Sequence, residues 1–549
     1  MSKYFKWAEL PPRTDVYTHA GTTTWGNHDL YPIPRKERTW GWLAYISYQI
    51  VVGVTISGYT LASTYIAVGL TVGQTMAALL TGSIVSAIIS YITCRPGLDH
   101  AIGFTVWMRT IFGPRGVYLQ IFFMCIAGII FSGLQSYYGG LAFTVMLSAV
   151  IPQFAHMKNT LPASAAITTQ ELIGFLMFFV FYIPMILYVK PYQLRRFMYP
   201  VFAIITTIMF GLLIWAIHGN GGSAGTLISS NPTELSTANR AYRIVQCIFS
   251  IMGTYGGASE RFSDWTRFAK SRQSPTVALL VIMPLTGIFS GMIGALVTSA
   301  YYESSGNLVW NPLTLLADLQ ANNYSPAVRA GTFFAGGGFF ICQLVVNMCN
   351  NTVGAGMDIS GCLPRYLSIR RAGMFMVIGS IIVQPWRFLS QASVFTEILS
   401  IVSIFFSVSC SMLVVDYYFV RKRKLVIPDL YTGGPQSIYW FHNGVNWRAI
   451  FCLLWGMWPS LPGLVYTVSG KPLDASATVW TRMFQINYII GAPLAFITYF
   501  AMSYFIKPPG LGVQVNMDEQ GDIIEGVPCE GSNSGDDEKE AKSTEKSAE

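Results

Sequence analysis

The chain has 549 residues, of which 52% are hydrophobic and only 11% are charged, and its net charge is +8. Because about a quarter of the residues in an ordinary soluble protein are charged, this composition excludes that class and predicts a polytopic membrane protein. Apolar runs of about 20 residues recur along most of the length, which predicts one membrane domain rather than several soluble domains. We therefore relate the positive charge to membrane topology and expect no nucleic-acid partner.

Residues 1–39 are predicted to form a cytosolic N-terminal arm. They contain four prolines, end close to the charged cluster RKER at residues 35–38, and lack the apolar core of a removable signal peptide. An extended conformation is expected for this arm.

Residues 40–506 are predicted to form an all-α membrane domain of twelve membrane-spanning helices. The predicted spans are 40–61, 64–93, 117–147, 171–189, 197–217, 243–262, 276–301, 330–357, 373–390, 394–418, 447–467 and 484–506. Residues 507–549 are polar and acidic, without a pattern that could bury a core, and are expected to be a disordered cytosolic tail.

The distribution of Lys and Arg predicts the orientation, since cytoplasmic loops carry an excess of both. With the N-terminus inside, seventeen of these residues fall in inner loops and seven in outer loops, the seven being Lys158, Arg240, Arg243, Arg329, Arg387, Lys471 and Arg482. Both termini are therefore expected in the cytosol.

The sixth predicted span, residues 243–262, loses its apolar character in its own middle. Gly256 and Gly257 interrupt it, and Glu260, Arg261 and Asp264 follow within two turns. Glycines weaken a helix, and charges at membrane depth are costly unless they face protein or water, so we predict a broken helix at the glycine pair. The alternative is a helix that ends at Gly256 and leaves the charges in the cytosol.

The first span repeats this theme, because small and polar residues lie midway along it between Gln49 and Gly58. Spans one and six are five apart, which fits two inverted repeats of five helices followed by two extra helices. In transporters of this architecture the substrate binds beside such broken helices.

Two further spans carry polar side chains that suit a small heterocycle. Phe131 and Gln135 project from one face of the third span, where the ring could stack and the carboxamide could donate and accept hydrogen bonds. Asn347, Asn350 and Asn351 crowd into the eighth span and are followed by Asp358. Each amide could instead join two helices.

Other classes of protein lack their signatures in this chain. There is no phosphate-binding loop of a pump, no His and Cys cluster with metal-ligand spacing, and no nucleophile paired with a base at one membrane depth. We expect neither an enzyme nor a cofactor or metal.

Several motifs resemble the nucleobase:cation symporter-1 (purine-cytosine permease) family, and within it the fungal uracil, allantoin and uridine permease branch. In chain order they are WGNHDLYPIPRKERTWGW (residues 25–42), LASTYIAVGL (61–70), SDWTRFAKS (263–271), VDYYFVRKRKLVIPDLY (415–431) and YWFHNGVNWRAI (439–450), followed by GMWPSLPG (456–463). The resemblance runs colinearly from about residue 25 to about residue 506. It implies a LeuT-like fold of five plus five inverted helices with two C-terminal helices.

The resemblance also implies a substrate site. Gln135 and Asn351 match the substrate-binding amides of the family, whereas Phe131 and Tyr255 stand where two stacking tryptophans are usual. Smaller rings at both positions keep the same stacking and hydrogen-bonding chemistry but leave the exact solute open.

A second departure from the family concerns the coupling ion. Val345 and Val346 stand where sodium-coupled relatives have hydroxyl ligands, and a hard cation prefers oxygen. Proton coupling is therefore predicted, with three carboxyl groups as candidates to carry the proton: Glu260, Asp264 and Asp358. Each could instead hold a structural ion pair with Arg261 or Arg267.

Together these features predict a plasma-membrane importer of a nucleobase-like heterocycle or ureide, such as uracil, allantoin or uridine. Its partners would be that solute, protons and the lipid bilayer, and it would work by alternating access. The alternative is a membrane receptor that senses the same ligands without transporting them.

Overall fold

The computed structural model describes residues 9–10, 23–189, 193–469, 475–517 and 523–525, and helices dominate them. In chain order the helices are α1 (Trp42–Gly53), α2 (Ile56–Ala67), α3 (Val72–Thr93), α4 (Arg95–His100), α5 (Phe104–Phe112), α6 (Val117–Val150), α7 (Pro152–Ala155), α8 (Thr169–Tyr188), α9 (Arg195–Gly219), α10 (Thr237–Glu260), α11 (Phe262–Thr266), α12 (Met283–Ser305), α13 (Pro312–Asn322), α14 (Pro326–Asn347), α15 (Gly354–Cys362), α16 (Ile369–Ile382), α17 (Ala392–Val414), α18 (Trp447–Met457), α19 (Leu461–Ser469), α20 (Ala475–Gln485) and α21 (Asn487–Phe505). Three π-helical segments extend this set, at Ala278–Ile282, Met348–Val353 and Val415–Val420. Two short strands follow, β1 (Val515–Met517) and β2 (Ile523–Glu525).

Each of the twelve predicted spans overlaps one helix or a run of consecutive helical segments. Within the described residues, nine helical segments are long and apolar enough to cross a membrane, or ten when the bent pair α1 and α2 counts as one. The two spans that fall short are α10, whose first turns are polar, and α16, which has only 14 residues. Twelve crossings therefore stay a prediction.

Side-chain caps explain where several of these helices begin. Thr71 accepts a hydrogen bond from the backbone N–H of Gln74, whose side chain reciprocates, and Thr168 and Glu171 form the same capping box at α8. Ser325 caps α14 alone. Such caps satisfy backbone donors that the helix cannot, and each is worth about 1 kcal/mol.

The long helix α6 organises the interior. It packs along α14, α8, α16 and α15, while α10 lies between α3 and α17, and α12 lies against α2, α3 and α9. These contacts bring α1, α2, α6, α10 and the π segment Met348–Val353 around one central space.

The first span is broken, in agreement with its small and polar middle. Helices α1 and α2 meet at an angle of 43° across Val54 and Thr55. The Thr55 hydroxyl caps α2 by accepting a hydrogen bond from the Gly58 N–H at 3.1 Å, and its carbonyl accepts one from Ser290 Oγ at 3.0 Å. The second span consequently begins at Val72 rather than at residue 64.

The predicted break at Gly256 and Gly257 is wrong, because α10 continues through both residues to Glu260. A Cβ atom on Gly256 would lie 2.7 Å from ring atoms of Phe406 in α17, so the glycines provide room for close packing of that ring. The helix is interrupted one turn later, at Arg261 (φ −85°, ψ 7°), where the short helix α11 begins.

Chain segments 23–40 and 507–517 pack at the same end of the bundle, which we call the terminal face. The backbone of Trp40 exchanges hydrogen bonds with Phe268 and Lys270, and β1 pairs through Val515 with the backbone of Leu425 and Ile427. The prediction of disorder is therefore wrong for residues 507–517, because this segment finds a backbone partner and a buried position for Asn516. Most of the remaining tail and of residues 1–22 lies outside the described residues.

Candidate functional site

A cavity of about 100 Å³ lies at the break between α1 and α2. Its walls include all four residues predicted to bind substrate: Phe131, Gln135, Tyr255 and Asn351. Because they come from three helical segments far apart in the sequence, the tertiary structure brings together what the resemblance implied separately.

Gln135 presents one unused hydrogen-bonding atom at this cavity. Its Nε2 atom donates to Ser57 Oγ at 3.0 Å, and Ser57 lies in the first turn of α2, directly after the break. Its Oε1 atom is buried and has no partner among the described residues. An unpaired buried carbonyl oxygen is costly, so this atom is suited to accept an N–H from a bound solute.

Asn351 is held by a chain of amides and hydroxyls. Its Nδ2 atom donates to Asn347 Oδ1 at 2.9 Å, and Asn347 Nδ2 donates to Ser136 Oγ at 3.0 Å on α6. Asn347 and Asn351 therefore share one face of this segment, and Asn347 serves as a brace between helices.

Asn350, one of the three amides that crowd into the eighth span, also lines the cavity, although the resemblance assigned substrate binding to Asn351 alone among the three. Its Oδ1 atom is buried without a partner in the described structure. The π-helical segment Met348–Val353 widens the helix here, and such segments often occur at functional sites. An ordinary α-helix separates adjacent side chains by about 100°, whereas Asn350 and Asn351 of this widened segment both line the cavity.

The aromatic residues lie on different helices around the cavity. Phe131 and Tyr255 are both half-buried and line it together with Phe395 and Phe406 of α17. The hydroxyl group of Tyr255 lies directly against the bare backbone of Gly287 in α12.

The backbone carbonyls at the break are partly occupied by side chains of α12. Thr286 Oγ1 donates to the carbonyl of Gln49 at 3.4 Å, and Ser290 Oγ donates to that of Thr55. Val345 and Val346 are buried in α14 and contribute no side-chain oxygen. Because a hard cation prefers oxygen ligands, neither the valine side chains nor carbonyls that already accept hydrogen bonds favour a sodium site here.

The three candidate carboxyl groups are buried and lie outside the cavity lining, and they have different partners. Asp358 forms an ion pair with Arg261, at 2.7 Å between Oδ2 and Nε, and accepts a hydrogen bond from Thr105 at 2.7 Å. Asp264 accepts from the Phe104 N–H at 2.7 Å. The alternative of a structural ion pair therefore holds for Asp358.

Glu260 has no ion-pair partner within the described residues. Its Oε2 atom accepts a hydrogen bond from Ser409 Oγ at 3.2 Å, and its Oε1 atom is unpaired. Arg261, its neighbour in sequence, points instead to Asp358 and lines the cavity.

Aromatic side chains separate the cavity from the terminal face. Tyr48 lines the cavity and lies 4.9 Å from Trp265 between ring centroids, and Trp40 packs on Trp265 at 5.4 Å. On the opposite side, Phe395 stacks on Trp310 at 6.0 Å. Packed rings thus lie on both sides of the cavity.

The chain is similar to known permeases along most of its length. A family model described as permease for cytosine/purines, uracil, thiamine, allantoin matches residues 32–491. The transporter aclS of Aspergillus oryzae is 30% identical over 89% of this chain and 88% of its own length. The nicotinamide riboside transporter 1 of Saccharomyces cerevisiae is 29% identical over 92% of this chain and 83% of its own length.

The fold matches a solved transporter as well. Mhp1, described as a nucleobase-cation-symport-1 family transporter in a closed conformation with bromovinylhydantoin bound, superposes with a TM-score of 0.68 at 16% identity. The match covers 87% of this chain and 95% of Mhp1 and confirms the predicted fold class, an all-α membrane protein with a LeuT-like fold. The chain is therefore a membrane transporter and not an enzyme, and it belongs to the permease family for cytosine/purines, uracil, thiamine and allantoin.

Proposed function

We propose that this transporter imports a small planar nitrogen heterocycle or ureide, such as uracil, allantoin, uridine or a related compound, by proton symport. The observation that carries the proposal is the cavity itself, where the amides of Gln135, Asn350 and Asn351 and the rings of Phe131 and Tyr255 surround one space. Rings can stack on a flat solute while amides pair with its N–H and C=O edges.

The functions described for the family support this class of solute. Its description names cytosine/purines, uracil, thiamine and allantoin, and one relative is named for nicotinamide riboside. These compounds share a nitrogen-containing ring or ureide with hydrogen-bonding groups on its edge. The free Oε1 atom of Gln135 supplies an acceptor for such an edge.

The surroundings of Glu260 support protons as the coupling ion. A charged carboxylate without an ion-pair partner is costly to bury, whereas a neutral carboxyl group with a hydroxyl neighbour is tolerated. Glu260 is in this situation, and Asp358 is not, because Arg261 compensates its charge. We therefore rank Glu260 ahead of Asp358 as the proton carrier, and we keep Asp264 as a further candidate.

Alternating access would proceed by separating the packed aromatic rings on one side of the cavity at a time. Following the excess of Lys and Arg in the inner loops, we assign the terminal face to the cytosol, with both termini inside. The proposed role as an importer implies the plasma membrane as the location. Separation of Trp310 from Phe395 would open the cavity outward, and separation of Tyr48 from Trp265 would open it inward.

Uptake of labelled solutes into cells that lack their own permeases tests the proposal. We expect accumulation of at least one member of a panel of uracil, allantoin, uridine and thiamine above its external concentration. Surface expression is measured in parallel with a fluorescent fusion. Saturable binding without accumulation would identify a receptor, and accumulation of none of the panel would contradict the proposed class of solute.

A further inference from the structure

Gly287 of α12 lies beneath the proposed stacking residue Tyr255. A Cβ atom on Gly287 would collide with the hydroxyl oxygen of Tyr255 and would lie 3.4 Å from Cζ of the same ring. Ser83 Oγ on α3 borders the same position at 3.2 Å. The tyrosine side chain therefore spans the gap between α10 and α12, and its far end occupies the space that a side chain at Gly287 would take.

The neighbours of Gly287 on α12 hold the broken first span. Thr286 donates to the carbonyl of Gln49 on α1, and Ser290 donates to that of Thr55 at the break. One turn of α12 thus contacts the backbone around the break and the end of the Tyr255 ring. The distance between the Tyr255 ring and the break therefore depends on how closely α12 can approach this ring.

We propose that Gly287 is a positioning residue that determines which solutes fit the cavity, by allowing the Tyr255 ring to retract toward α12. This inference rests on the proposed function, because it assigns the ring a role in binding. A methyl group at this position would push the hydroxyl back toward the cavity and narrow it. Larger members of the same solute class would then lose more affinity than smaller ones.

The test is a double-mutant cycle between Gly287→Ala and Tyr255→Phe, measured by the KM for each solute of the panel. We expect Gly287→Ala to raise the KM for uridine or thiamine about tenfold relative to the KM for uracil, a change of about 1.4 kcal/mol that lies within the usual cost of overpacking. In a chain that already carries Tyr255→Phe, the oxygen that would collide is absent. In that background, Gly287→Ala should change the KM for uridine or thiamine, relative to the KM for uracil, by less than about twofold.

Gly291→Ala is the matched control, because it adds the same methyl group one turn later on α12. Its Cβ atom would meet Leu79 and Ala62 rather than Tyr255. We expect any effect of Gly291→Ala to be the same with and without Tyr255→Phe. The thermal unfolding midpoints of the purified variants, measured without ligand, should show the same coupling between positions 287 and 255 and none between 291 and 255.

Equal effects of Gly287→Ala in both backgrounds would overturn the proposal. Coupling in the unfolding midpoint with an unchanged ratio of KM values would show packing alone and would also overturn it. Failure of the unsubstituted chain to accumulate any of the four solutes counts against the proposed function instead. In that case the unfolding cycle still decides whether the contact between Gly287 and Tyr255 exists.

Discussion

The carboxamides of Gln135 and Asn351 represent two ways in which an apolar helix can keep a polar side chain. Gln135 uses its N–H on Ser57 and leaves its oxygen unpaired, whereas Asn351 is braced by Asn347 against α6. Both lie in the wall of one cavity. The difference suggests that Gln135 contributes an acceptor to the solute, while the orientation of Asn351 is fixed in advance by its brace.

The first prediction is that Gln135→Ala and Asn351→Ala strongly weaken uptake while the protein still reaches the membrane. Loss of a hydrogen bond to a desolvated ligand leaves a buried group unpaired, at about 1–3 kcal/mol, or roughly 5- to 150-fold in apparent affinity. KM for the transported solute and surface expression are the measurements. Asn347→Ala serves as a comparison, since it removes the brace rather than the proposed contact. Unchanged affinity in both primary variants would remove these residues from the site.

The second prediction concerns the ring of Tyr255. Tyr255→Ala should raise KM far more than Tyr255→Phe, because the flat ring is the feature that the stacking proposal requires. Loss of an aromatic contact is worth about 0.5–1.5 kcal/mol beyond the buried area, which is roughly 2- to 13-fold in affinity. KM values for one solute in the two variants decide the matter. Similar defects in both would mean that the hydroxyl group, rather than the ring, is required.

At the scale of elements, the ion pair between Arg261 and Asp358 joins the end of α10 to the middle of α15 beside the cavity. Arg261 lies at the interruption between α10 and α11, and Asp358 lies on α15, where Thr105 of α5 also contacts it. Both charged side chains are buried. Tyr255 lies on α10, and α15 directly follows the π segment that carries Asn351. The ion pair therefore fixes the distance between two walls of the site.

The third prediction follows from the cost of leaving one of these charges unpaired. Asp358→Ala should lower the thermal unfolding midpoint strongly, since removal of one partner of a buried pair costs roughly 3–5 kcal/mol. The double variant Arg261→Ala with Asp358→Ala should lose less than the sum of the single variants. Glu260→Gln provides the control, because Glu260 has no ion-pair partner in the described structure. Additive losses would show that the two charges do not interact.

At the scale of the whole molecule, the proposed coupling ion must be able to reach the interior from either side. The carbonyls of Gln49 and Thr55 at the break already accept hydrogen bonds from α12, and the valines of α14 add no oxygen. Buried carboxyl groups lie instead between the cavity and the terminal face, where α11 and α5 meet. This arrangement favours a proton over a sodium ion.

The fourth prediction is that initial uptake rises as the external pH falls from neutral toward about 5, because protonation of a carboxyl group would have to precede transport. A protonophore should abolish accumulation, and replacement of sodium by potassium or choline should have no effect. Glu260→Gln resembles the protonated form permanently, so it should flatten the pH dependence while the protein remains at the membrane.

Uptake that requires sodium and ignores the protonophore would contradict proton coupling. The ligands of the cation would then have to come from backbone carbonyls around Gly53 and Val346. A pH dependence that persists unchanged in Glu260→Gln, with protonophore sensitivity intact, would transfer the role to Asp264 or Asp358.

The sequence by itself determined where the helices lie and which polar residue types they carry. Apolar runs locate ten of the twelve predicted spans as long apolar helices of the described residues, because the cost of exposing polar backbone to lipid acts on each segment separately. Gln135 and Asn351 stand out for the same reason, since an amide in an apolar helix needs a partner. The family motifs added the likeness to nucleobase permeases.

Only the tertiary structure decided where the helices break and which charges are paired. From the sequence alone, Gly256 and Gly257 predict a helix break, but Phe406 packs against them and the helix continues. Glycine weakens a helix and also allows close approach, and the residue that selects between these effects lies on another helix. Likewise, the strand at Val515 needs a partner about ninety residues earlier in the chain. Whether Arg261 forms its ion pair with Asp358 or with its neighbour Glu260 depends on the directions of these side chains at the end of α10. These are contacts between distant parts of the chain, which composition and periodicity do not contain.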